Sequence, residues 1–406
     1  MLATLIENAQ LVRPGHWSRA GSILIKDSVI KAIDPKADQI DSSVVRVDAM
    51  GALLTPGLVD IHCHGIHQYL YEASPEQFQN ASAVLPSTGT TCVLPTLYTV
   101  MNRSSLSHLE QLSEQLPLVS GAAMPGFHLE GPFLALPGAG AETVPGDLVL
   151  LEEVLSASKG RIVAMSISPD TPNIIPVIER LCEQNIAVFV THTCASVEQT
   201  QAAIEAGARH ATHFYDVFPV PGETDPGVRP VGAVETILAD SRCSVDFICD
   251  GVHAHPMAIS AALAAKGWEK IIAITDANIG AGLDEGVYET PWGYSVEVSH
   301  AAAARVADAD HPKHGMLAGS SLTMDRAIGN LLGWLDLPEY QVWAMGTTNP
   351  AKVANQPAKG DLRVGADADL VLWKNSASGP SPLKTWVAGN CVFDAKVQPV
   401  IEGETQ

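Results

Sequence analysis

The sequence predicts an α/β fold, a (β/α)8 barrel of the TIM type with a small β-sandwich-like domain formed by the N- and C-terminal segments. Three observations predict it. The 406 residues suit a barrel of about 250 residues plus a smaller unit. Both chain ends read as short strands, and eight apolar runs of strand length lie between them. We expect residues 1–55 and 356–406 to form the small domain and residues 56–355 to form the barrel.

The chain ends show the alternation of half-buried strands and no long helical pattern. The N-terminal candidates are Ala3–Glu7, Ser22–Ile25, Val29–Ile33 and Val45–Asp48. The C-terminal candidates are Leu370–Trp373, Thr385–Val387 and Cys391–Phe393, with a turn signal at Gly389-Asn390. We expect the two sets to pair with each other.

The middle of the chain carries apolar runs typical of buried parallel strands. They are Leu58–Ile61, Thr91–Pro95, Met124–Leu129, Ile162–Ile167, Ala187–Thr191, Ala211–Tyr215, Ser244–Cys249 and Ile271–Thr275. Most are separated by segments compatible with helices, such as Val197–Glu205 and Met257–Ala265. The same runs are compatible with an open doubly wound sheet, but no GxGxxG motif follows a strand, which weakens that alternative.

Composition excludes several classes of function. A formal charge of −21, from 45 acidic and 24 basic residues, repels nucleic acid and anionic membrane surfaces. Residues 1–20 lack the uninterrupted apolar stretch of a signal peptide or membrane span. The 7 cysteines are scattered without short spacing, so we expect them reduced and the protein cytoplasmic.

Ligand-type residues recur where predicted barrel strands end. The first strand ends in Asp60-Ile61-His62-Cys63-His64-Gly65, and strand alternation places both histidines on one side. The other strand ends carry His128-Leu129-Glu130, His192, His213 and Asp276. Because barrel active sites form at the carboxyl ends of the strands, these residues should converge. Imidazoles and carboxylates suit zinc, with iron, manganese or cobalt as alternatives.

Longer motifs carry a resemblance over nearly the whole chain. They are Pro56–Gly65, His128–Phe133, Asp250–Pro256, Thr275–Ala277, Leu317–Asp325, Thr347–Lys352 and Gly365–Val371. These segments resemble the amidohydrolase superfamily of metal-dependent hydrolases, and more closely its N-acetylglucosamine-6-phosphate deacetylases. The resemblance implies hydrolysis of an N-acyl bond of a small-molecule substrate in a homodimeric enzyme.

Residue by residue, the resemblance implies that Glu130, His192 and His213 hold a principal divalent metal ion and that Asp276 is the catalytic acid and base. His62 and His64 then form a second metal position that Glu130 bridges, so one or two ions are expected. His128 either supports the metal cluster from behind or is simply packed beside it.

The resemblance also implies substrate contacts at one end of the barrel. His253 matches a substrate-contacting histidine, whereas we expect His255 to be structural or exposed. Leu317–Ser320, including Gly319, resembles a loop that shapes the sugar pocket through its backbone, or is alternatively a turn capping a helix that begins near Leu322. Helical spacing predicts that four apolar residues pack in the core: Met324, Ile328, Leu331 and Leu332.

The sequence departs from the deacetylases at substrate-facing positions. Asp216-Val217 stands where they carry an asparagine and a small residue, and Glu223-Thr224 stands in the region of their phosphate-binding arginine. A carboxylate repels phosphate, which leaves Arg229 as a replacement cation. Gly140-Ala141-Glu142 occupies the place of a family histidine.

Three functions follow as hypotheses. The first is deacetylation of N-acetylglucosamine 6-phosphate or a related N-acetylated amino sugar. The second is hydrolysis of another C–N bond, in an N-acyl amino acid or a cyclic amide, with Glu142, Asp216 and Glu223 facing a neutral or cationic group. The third is a non-catalytic barrel that binds a ligand, which the complete set of metal-type residues argues against.

Overall fold

A computed structural model describes residues 3–138, 142–223, 225–299, 303–376 and 379–396. Gly140, Ala141 and Thr224, which the sequence analysis singled out, lie outside these residues, as does the end of the predicted small domain, residues 397–406.

The strands of the described chain are numbered in chain order. They are β1 (Thr4–Arg13), β2 (His16–Lys26), β3 (Val29–Ile33), β4 (Val45–Asp48), β5 (Leu53–Pro56), β6 (Leu58–Cys63), β7 (Gly65–Ile66), β8 (Tyr69–Leu70), β9 (Thr90–Leu97), β10 (Phe127–Glu130), β11 (Ile162–Ile167), β12 (Ala187–Val190), β13 (His210–Ala211), β14 (Ser244–Ile248), β15 (Ile271–Ile274), β16 (Gly286–Glu289), β17 (Ser295–Val298), β18 (Ala303–Val306), β19 (Leu317–Ser320), β20 (Leu370–Ser376), β21 (Gly379–Val387) and β22 (Asn390–Asp394).

The α-helices are α1 (Pro75–Val84), α2 (Leu106–Gln115), α3 (Leu148–Ala157), α4 (Ile174–Glu183), α5 (Val197–Ala206), α6 (Ala233–Ala239), α7 (Pro256–Lys266), α8 (Met324–Trp334), α9 (Glu339–Met345) and α10 (Thr348–Val353). Short 3-10 helices cover Ala37–Gln39, Leu85–Thr88, Leu116–Leu118 and Trp268–Lys270. The two helices named from the sequence are confirmed as α5 and α7. Ser196 begins α5 with a capping box, its side chain accepting from the backbone N–H of Gln199.

The two chain ends share one sheet, with the strand order β22-β21-β20-β5-β1-β2-β3 and β4 beside β1. The pairing of β5 with β20, for example Leu54 opposite Leu372, joins the ends. The strand β2 is longer than predicted because its outer half is exposed; His16–Ala20 is solvent-facing and lacks the apolar alternation that the prediction used. The strand β1 also continues beyond the predicted Ala3–Glu7, with buried residues up to Val12.

The barrel consists of eight parallel strands in the order β6-β9-β10-β11-β12-β13-β14-β15. Its ends meet where the backbone N–H of Asp276 donates to the carbonyl of His62 at 2.9 Å and that of His64 donates to Ala277 at 2.8 Å. The predicted fold class is therefore confirmed. The sixth strand is much shorter than expected, because the chain leaves the extended conformation after Ala211.

An antiparallel sheet of β16, β17, β18 and β19 follows the eighth barrel strand and was not predicted. Its strands are four residues long and partly exposed, so their pattern is weak. The last strand, β19, returns to the barrel, where Ser320 bridges to Ala277. This insertion therefore borders the carboxyl end of the barrel, as does the hairpin of β7 and β8.

Helix α8 begins at Met324, two residues later than the sequence suggested. Met324, Ile328 and Leu331 are buried and Leu332 is partly buried against the same core, as predicted. All seven cysteines are free thiols. In the part of the chain that the structure describes, no helix has the length and apolarity needed to cross a membrane.

Candidate active site

Six predicted residues meet at the carboxyl ends of the barrel strands. His62 and His64 lie at the end of β6, and Glu130 ends β10. Each of the other three is the second residue after a strand: His192 after β12, His213 after β13, and Asp276 after β15. All are buried except Asp276, whose side chain is 14% exposed. The structure thus brings together every residue that was predicted to bind metal or to catalyse.

The carboxylate of Glu130 stands between two pairs of histidines. Its Oε1 lies 3.1 Å from Nε2 of His192 and 3.1 Å from Nε2 of His213. Its Oε2 lies 3.7 Å from Nε2 of His62 and 3.4 Å from Nε2 of His64. One oxygen therefore faces each pair, which is the arrangement of a bridging carboxylate.

Asp276 faces the second pair. Its Oδ1 lies 3.1 Å from Nε2 of His64 and 3.4 Å from Nε2 of His62. Within the described residues, two groups of side chains could hold a metal ion, His62 with Glu130 and His213, and His62 with His64 and Asp276, the ligand atoms of each group lying within 4.8 Å of one another.

The far nitrogens of the histidines orient their rings. Nδ1 of His64 lies 3.1 Å from the carbonyl of Thr96, and Nδ1 of His213 lies 3.3 Å from the carbonyl of Asp216. A carbonyl only accepts, so both Nδ1 atoms carry hydrogen, which leaves Nε2 of each ring facing the cluster as the atom that could bind a metal ion. Nδ1 of His192 is buried and has no partner among the described residues.

Gly138 lies against the ring of His192. A Cβ at that position would come within 1.7 Å of its Cε1, so only glycine fits beside this imidazole.

The electrostatics suit a bound cation. Burial alone would raise the pKa of Asp276, but the hydrogen bond from His64 and the charges of the histidines lower it to about 2. The pKa of Glu130 lies well below its usual value, because the same kind of charges and hydrogen bonds outweigh its burial. Burial opposes protonation of His64 and His213, yet the hydrogen bonds and charges of Asp276 and Glu130 raise their pKa values to about 9 and about 10. The two ionised carboxylates therefore favour positive charge among the imidazoles, and a divalent metal ion would supply that charge when the imidazoles are neutral.

The backbone is strained where the chain leaves the barrel strands. His192, His213 and Asp276 have φ of 48°, 34° and 49°, in the left-handed region that non-glycine residues seldom adopt. Val217, a β-branched residue, has φ of 53°. Such conformations persist at functional sites where the surrounding structure enforces them.

Two buried carboxylates inside the barrel accept hydrogen bonds from residues of the cluster and its neighbours. This positioning role was not predicted from the sequence. Asp60 accepts from the hydroxyl of Thr275 at 2.6 Å and from the backbone N–H of His62 at 3.3 Å, and burial raises its pKa to about 7. Asp246 accepts from the backbone N–H of His213 at 2.5 Å. A charged residue within an apolar run was the signal for both.

His128 lies behind the cluster. Its Nδ1 faces the carbonyl of Ile61 at 3.0 Å and its Nε2 faces the hydroxyl of Ser166 at 2.7 Å, so both nitrogens are engaged away from the metal ligands. Its ring meets the ring of His62 edge-on, with centroids 4.8 Å apart. Burial holds its pKa well below the usual value, so His128 packs as a neutral support.

His253 lies at the mouth of the site, and its Nδ1 is 2.6 Å from Oδ2 of Asp250. Burial opposes its protonation, but this pair and the charges of Asp276 and Asp216 raise its pKa. His255 is exposed, as predicted, and its ring caps α7 by accepting from Met257.

Asp216 lies three residues beyond His213 in the chain and is partly buried. Its backbone N–H donates to the carbonyl of His213 at 2.9 Å, and the carbonyl of Val217 accepts from Thr193 at 3.2 Å. Both predicted substrate positions, Asp216 and Val217, thus lie beside the metal-type cluster.

Three other predicted substrate contacts lie on the exposed rim. Glu142 faces Asn102, with 3.4 Å between Oε1 and Nδ2. Glu223 accepts from the backbone N–H of Gly227 at 2.6 Å. Arg229 pairs with Glu235 at 2.7 Å and its side chain is 68% exposed, so the structure does not bring this cation into the cluster.

Leu317 and Gly319 belong to strand β19, not to a helix cap. Gly319 has φ of 70°, and a Cβ there would come within 2.9 Å of Cβ of Asn278. The next residue, Ser320, donates its N–H to the carbonyl of Asp276 at 3.0 Å. This strand therefore holds the backbone of Asp276 in place.

Three aromatic residues, Tyr98, Trp292 and Tyr294, form a wall beside His64 that was not predicted from the sequence. The ring of Tyr98 meets that of His64 edge-on at 5.0 Å, and its backbone N–H donates to Glu72 at 2.7 Å. Burial raises the pKa of Tyr98, while a hydrogen bond with Trp292 opposes the rise. Trp292 comes from the inserted sheet and packs against Tyr294 at 5.7 Å. The wall brings together two segments that are far apart in the chain, so no local sequence pattern could predict it.

Comparisons with known proteins agree with this geometry. The family model described as "Amidohydrolase family" matches residues 53–392. The chain is 30% identical to the N-acetylglucosamine-6-phosphate deacetylase of Bacillus subtilis (strain 168), over 97% of this chain and 98% of that protein. It is 29% identical to the N-acetylgalactosamine-6-phosphate deacetylase of Escherichia coli O157:H7, over 94% and 97% of the two chains.

Among solved structures, the chain is similar to the N-acetyl-D-glucosamine-6-phosphate deacetylase of Mycobacterium smegmatis, with a TM-score of 0.80, 27% identity, and 96% and 99% of the two chains covered. The family match spans most of the chain and includes all six clustered residues. The protein therefore belongs to the amidohydrolase family and is a metal-dependent hydrolase of amide bonds.

Proposed function

We propose that the protein removes the acetyl group from an N-acetylated amino sugar, with N-acetylglucosamine 6-phosphate as the leading substrate. The observation that carries this proposal is the position of Glu130 between two histidine pairs with Asp276 facing one of them. The relatives that act on N-acetylated hexosamine phosphates support the choice of substrate class.

Glu130, His192 and His213 would hold the principal divalent ion, and His62 with His64 would hold a second that Glu130 bridges. Zinc suits these nitrogen and oxygen donors, with iron, manganese or cobalt as alternatives. When bound, such an ion polarises the amide carbonyl and makes hydroxide available near neutral pH.

Asp276 is the proposed general base and acid. Its low pKa keeps the carboxylate ionised at neutral pH, ready to accept the proton of the attacking water. The protonated side chain then returns that proton to the departing nitrogen, because an amine anion is a poor leaving group. Its backbone carbonyl, held by Ser320, keeps the carboxylate in position.

The mouth of the site gives a reason for a second candidate. Asp216 lies beside the ligand set, whereas Arg229 faces outward and is neutralised by Glu235. A phosphate dianion would need a cation here, but a neutral sugar or a cationic group would not. Hydrolysis of an N-acyl amino acid or cyclic amide is therefore the alternative function. The homodimeric state and the cytoplasmic location remain predictions.

The test is acetate release from N-acetylglucosamine 6-phosphate and from unphosphorylated N-acetylglucosamine, using protein of known metal content. We expect turnover of at least one sugar, and loss of about a thousandfold or more in kcat for Asp276→Asn. Asp38→Asn, an exposed aspartate in the 3-10 helix Ala37–Gln39, is the matched control. Activity that survives Asp276→Asn refutes the mechanism, and metal-loaded protein inactive on both sugars but active on N-acetyl amino acids refutes the substrate class.

A further inference from the structure

A cavity lies at the amino-terminal end of the barrel strands, opposite to Glu130. Its volume is about 330 Å³, within the range of small-molecule sites. It opens where β12 and β14 begin and where α10 packs against the barrel. The lining residues that matter are Arg209, His210, Arg242, Lys270, Asn349 and Lys352.

The lining is basic, although the whole chain carries a charge of −21. Arg242 is paired with Asp240 at 2.7 Å and Glu205 at 2.9 Å. In contrast, no ion pair within 4.0 Å is formed by Arg209, Lys270 or Lys352 with any described carboxylate. Glu269 is the acid of the lining. Unneutralised cations around one cavity indicate an anionic ligand.

Asn349 supplies an independent indication. The residue is 2% exposed, and its Nδ2 donates to the carbonyls of Trp268 at 2.8 Å and Ile271 at 2.9 Å, which uses both amide hydrogens. The orientation of the amide is thereby decided. Its Oδ1 is buried without a partner in the described chain. Since buried acceptors are rarely left unsatisfied, the cavity calls for a ligand that also donates a hydrogen bond.

We infer that this cavity binds a phosphate monoester that carries hydroxyl groups, such as a sugar phosphate. The cations receive the phosphate, and a hydroxyl donates to Oδ1 of Asn349. The site is distinct from the proposed catalytic centre and does not depend on the proposed substrate.

A hydrogen-bonded path joins the cavity to the catalytic end. His210 lines the cavity, and its Nε2 lies 2.7 Å from Oδ2 of Asp246. Oδ1 of the same carboxylate accepts from His213 at 2.5 Å. We therefore expect occupation of the cavity to shift His210 and, through Asp246, a predicted metal ligand, so that the ligand changes turnover.

Calorimetric titration of the metal-loaded protein tests the binding site, with glucose 6-phosphate and inorganic phosphate as probes. We expect glucose 6-phosphate to bind, and Lys270→Ala/Lys352→Ala to weaken it about tenfold or more. The control Lys31→Ala/Lys36→Ala removes the same charge from the small sheet and should change nothing. The proposed site is wrong if the wild type does not bind glucose 6-phosphate, or if the two double variants bind it with equal affinity. If the wild type binds inorganic phosphate as tightly as glucose 6-phosphate, the ligand does not need hydroxyl groups.

Kinetics test the coupling. Competition by glucose 6-phosphate at the catalytic site would raise the apparent KM alone, and that rise would persist in Lys270→Ala/Lys352→Ala. Binding at the effector cavity should change kcat by about twofold or more, and that change should vanish in the same variant. An unchanged kcat at saturating glucose 6-phosphate contradicts the coupling.

Discussion

The carboxylate of Asp246 accepts the backbone N–H of His213 at 2.5 Å from inside the barrel. His210, at 2.7 Å, holds the other oxygen. His213 has φ of 34° and is the second residue after the shortest barrel strand, so this contact replaces the backbone hydrogen bonds that a longer strand would provide. A buried side chain thus determines where a predicted metal ligand stands.

Replacing Asp246 should weaken metal binding without unfolding the protein. Asp246→Asn keeps an acceptor for His213 but places an amide opposite His210, so we expect metal affinity or kcat to fall about 10- to 100-fold. Metal titration and steady-state kinetics measure this, with circular dichroism as the check on folding. A folded variant with unaltered metal affinity and kcat would show that Asp246 has no positioning role.

Glu130→Gln should lose bound metal, because the neutral amide no longer offers an anionic oxygen to each histidine pair. We expect less than about one tenth of the wild-type metal content after dialysis, and a comparable loss of kcat. Elemental analysis gives the content. Glu179→Gln on the exposed face of α4 is the control. Retention of the full metal content in Glu130→Gln would disprove the proposed ligand set.

The pH dependence of the metal-free protein follows from the histidines. The folded-state pKa values of His64 and His213, about 9 and about 10, lie above the ordinary 6.5. Their contribution to the free energy of unfolding is therefore complete below pH 6.5 and is lost as the pH rises through 9 to 10. Urea unfolding of chelator-treated protein at pH 6.5 and 9.5 should show lower stability at the higher pH.

Metal-loaded protein should behave differently in the same experiment. Metal affinity increases as competing protons leave the imidazoles, so the metal offsets the loss at high pH. Equal stability of the metal-free protein at both pH values would contradict the protonation of this cluster.

Gly319→Ala should disturb the backbone of Asp276. The added Cβ meets Asn278 at 2.9 Å in a left-handed conformation, and we expect a loss of about 1–2 kcal/mol in the free energy of unfolding, together with a lower kcat. Gly315→Ala has a similar φ of 77° with no atom within 4 Å, so it should cost stability but leave kcat unchanged. Equal kcat values for the two variants would argue against a positioning role for β19.

Asp216→Asn should change substrate preference. Removing this charge beside the cluster lowers the repulsion of a phosphate dianion, so kcat/KM for N-acetylglucosamine 6-phosphate should rise about tenfold relative to the unphosphorylated sugar. The ratio of the two kcat/KM values is the measurement, and Asp225→Asn on the exposed rim is the control. An unchanged ratio would mean that Asp216 does not face the phosphate end of the substrate.

Local pattern was sufficient to predict the barrel and the six clustered residues. Apolar runs mark buried parallel strands, and the carboxyl ends of such strands always meet at one end of a barrel, so His62, Glu130, His192 and Asp276 could be placed together without any knowledge of distances. The same alternation predicted the shared sheet of the chain ends, although the exposed half of β2 escaped it.

Tertiary structure alone decided the surroundings of that cluster. The sheet of β16 to β19 has four-residue strands with little apolar alternation, and it brings Trp292 to Tyr98 from a remote segment. Arg229 is exposed and pairs with Glu235, because that carboxylate is the one that lies near it in the folded chain. Periodicity is a property of neighbouring residues and determines the elements, whereas ion pairs, aromatic contacts and the basic cavity depend on distances that barrel closure sets between residues far apart in the chain.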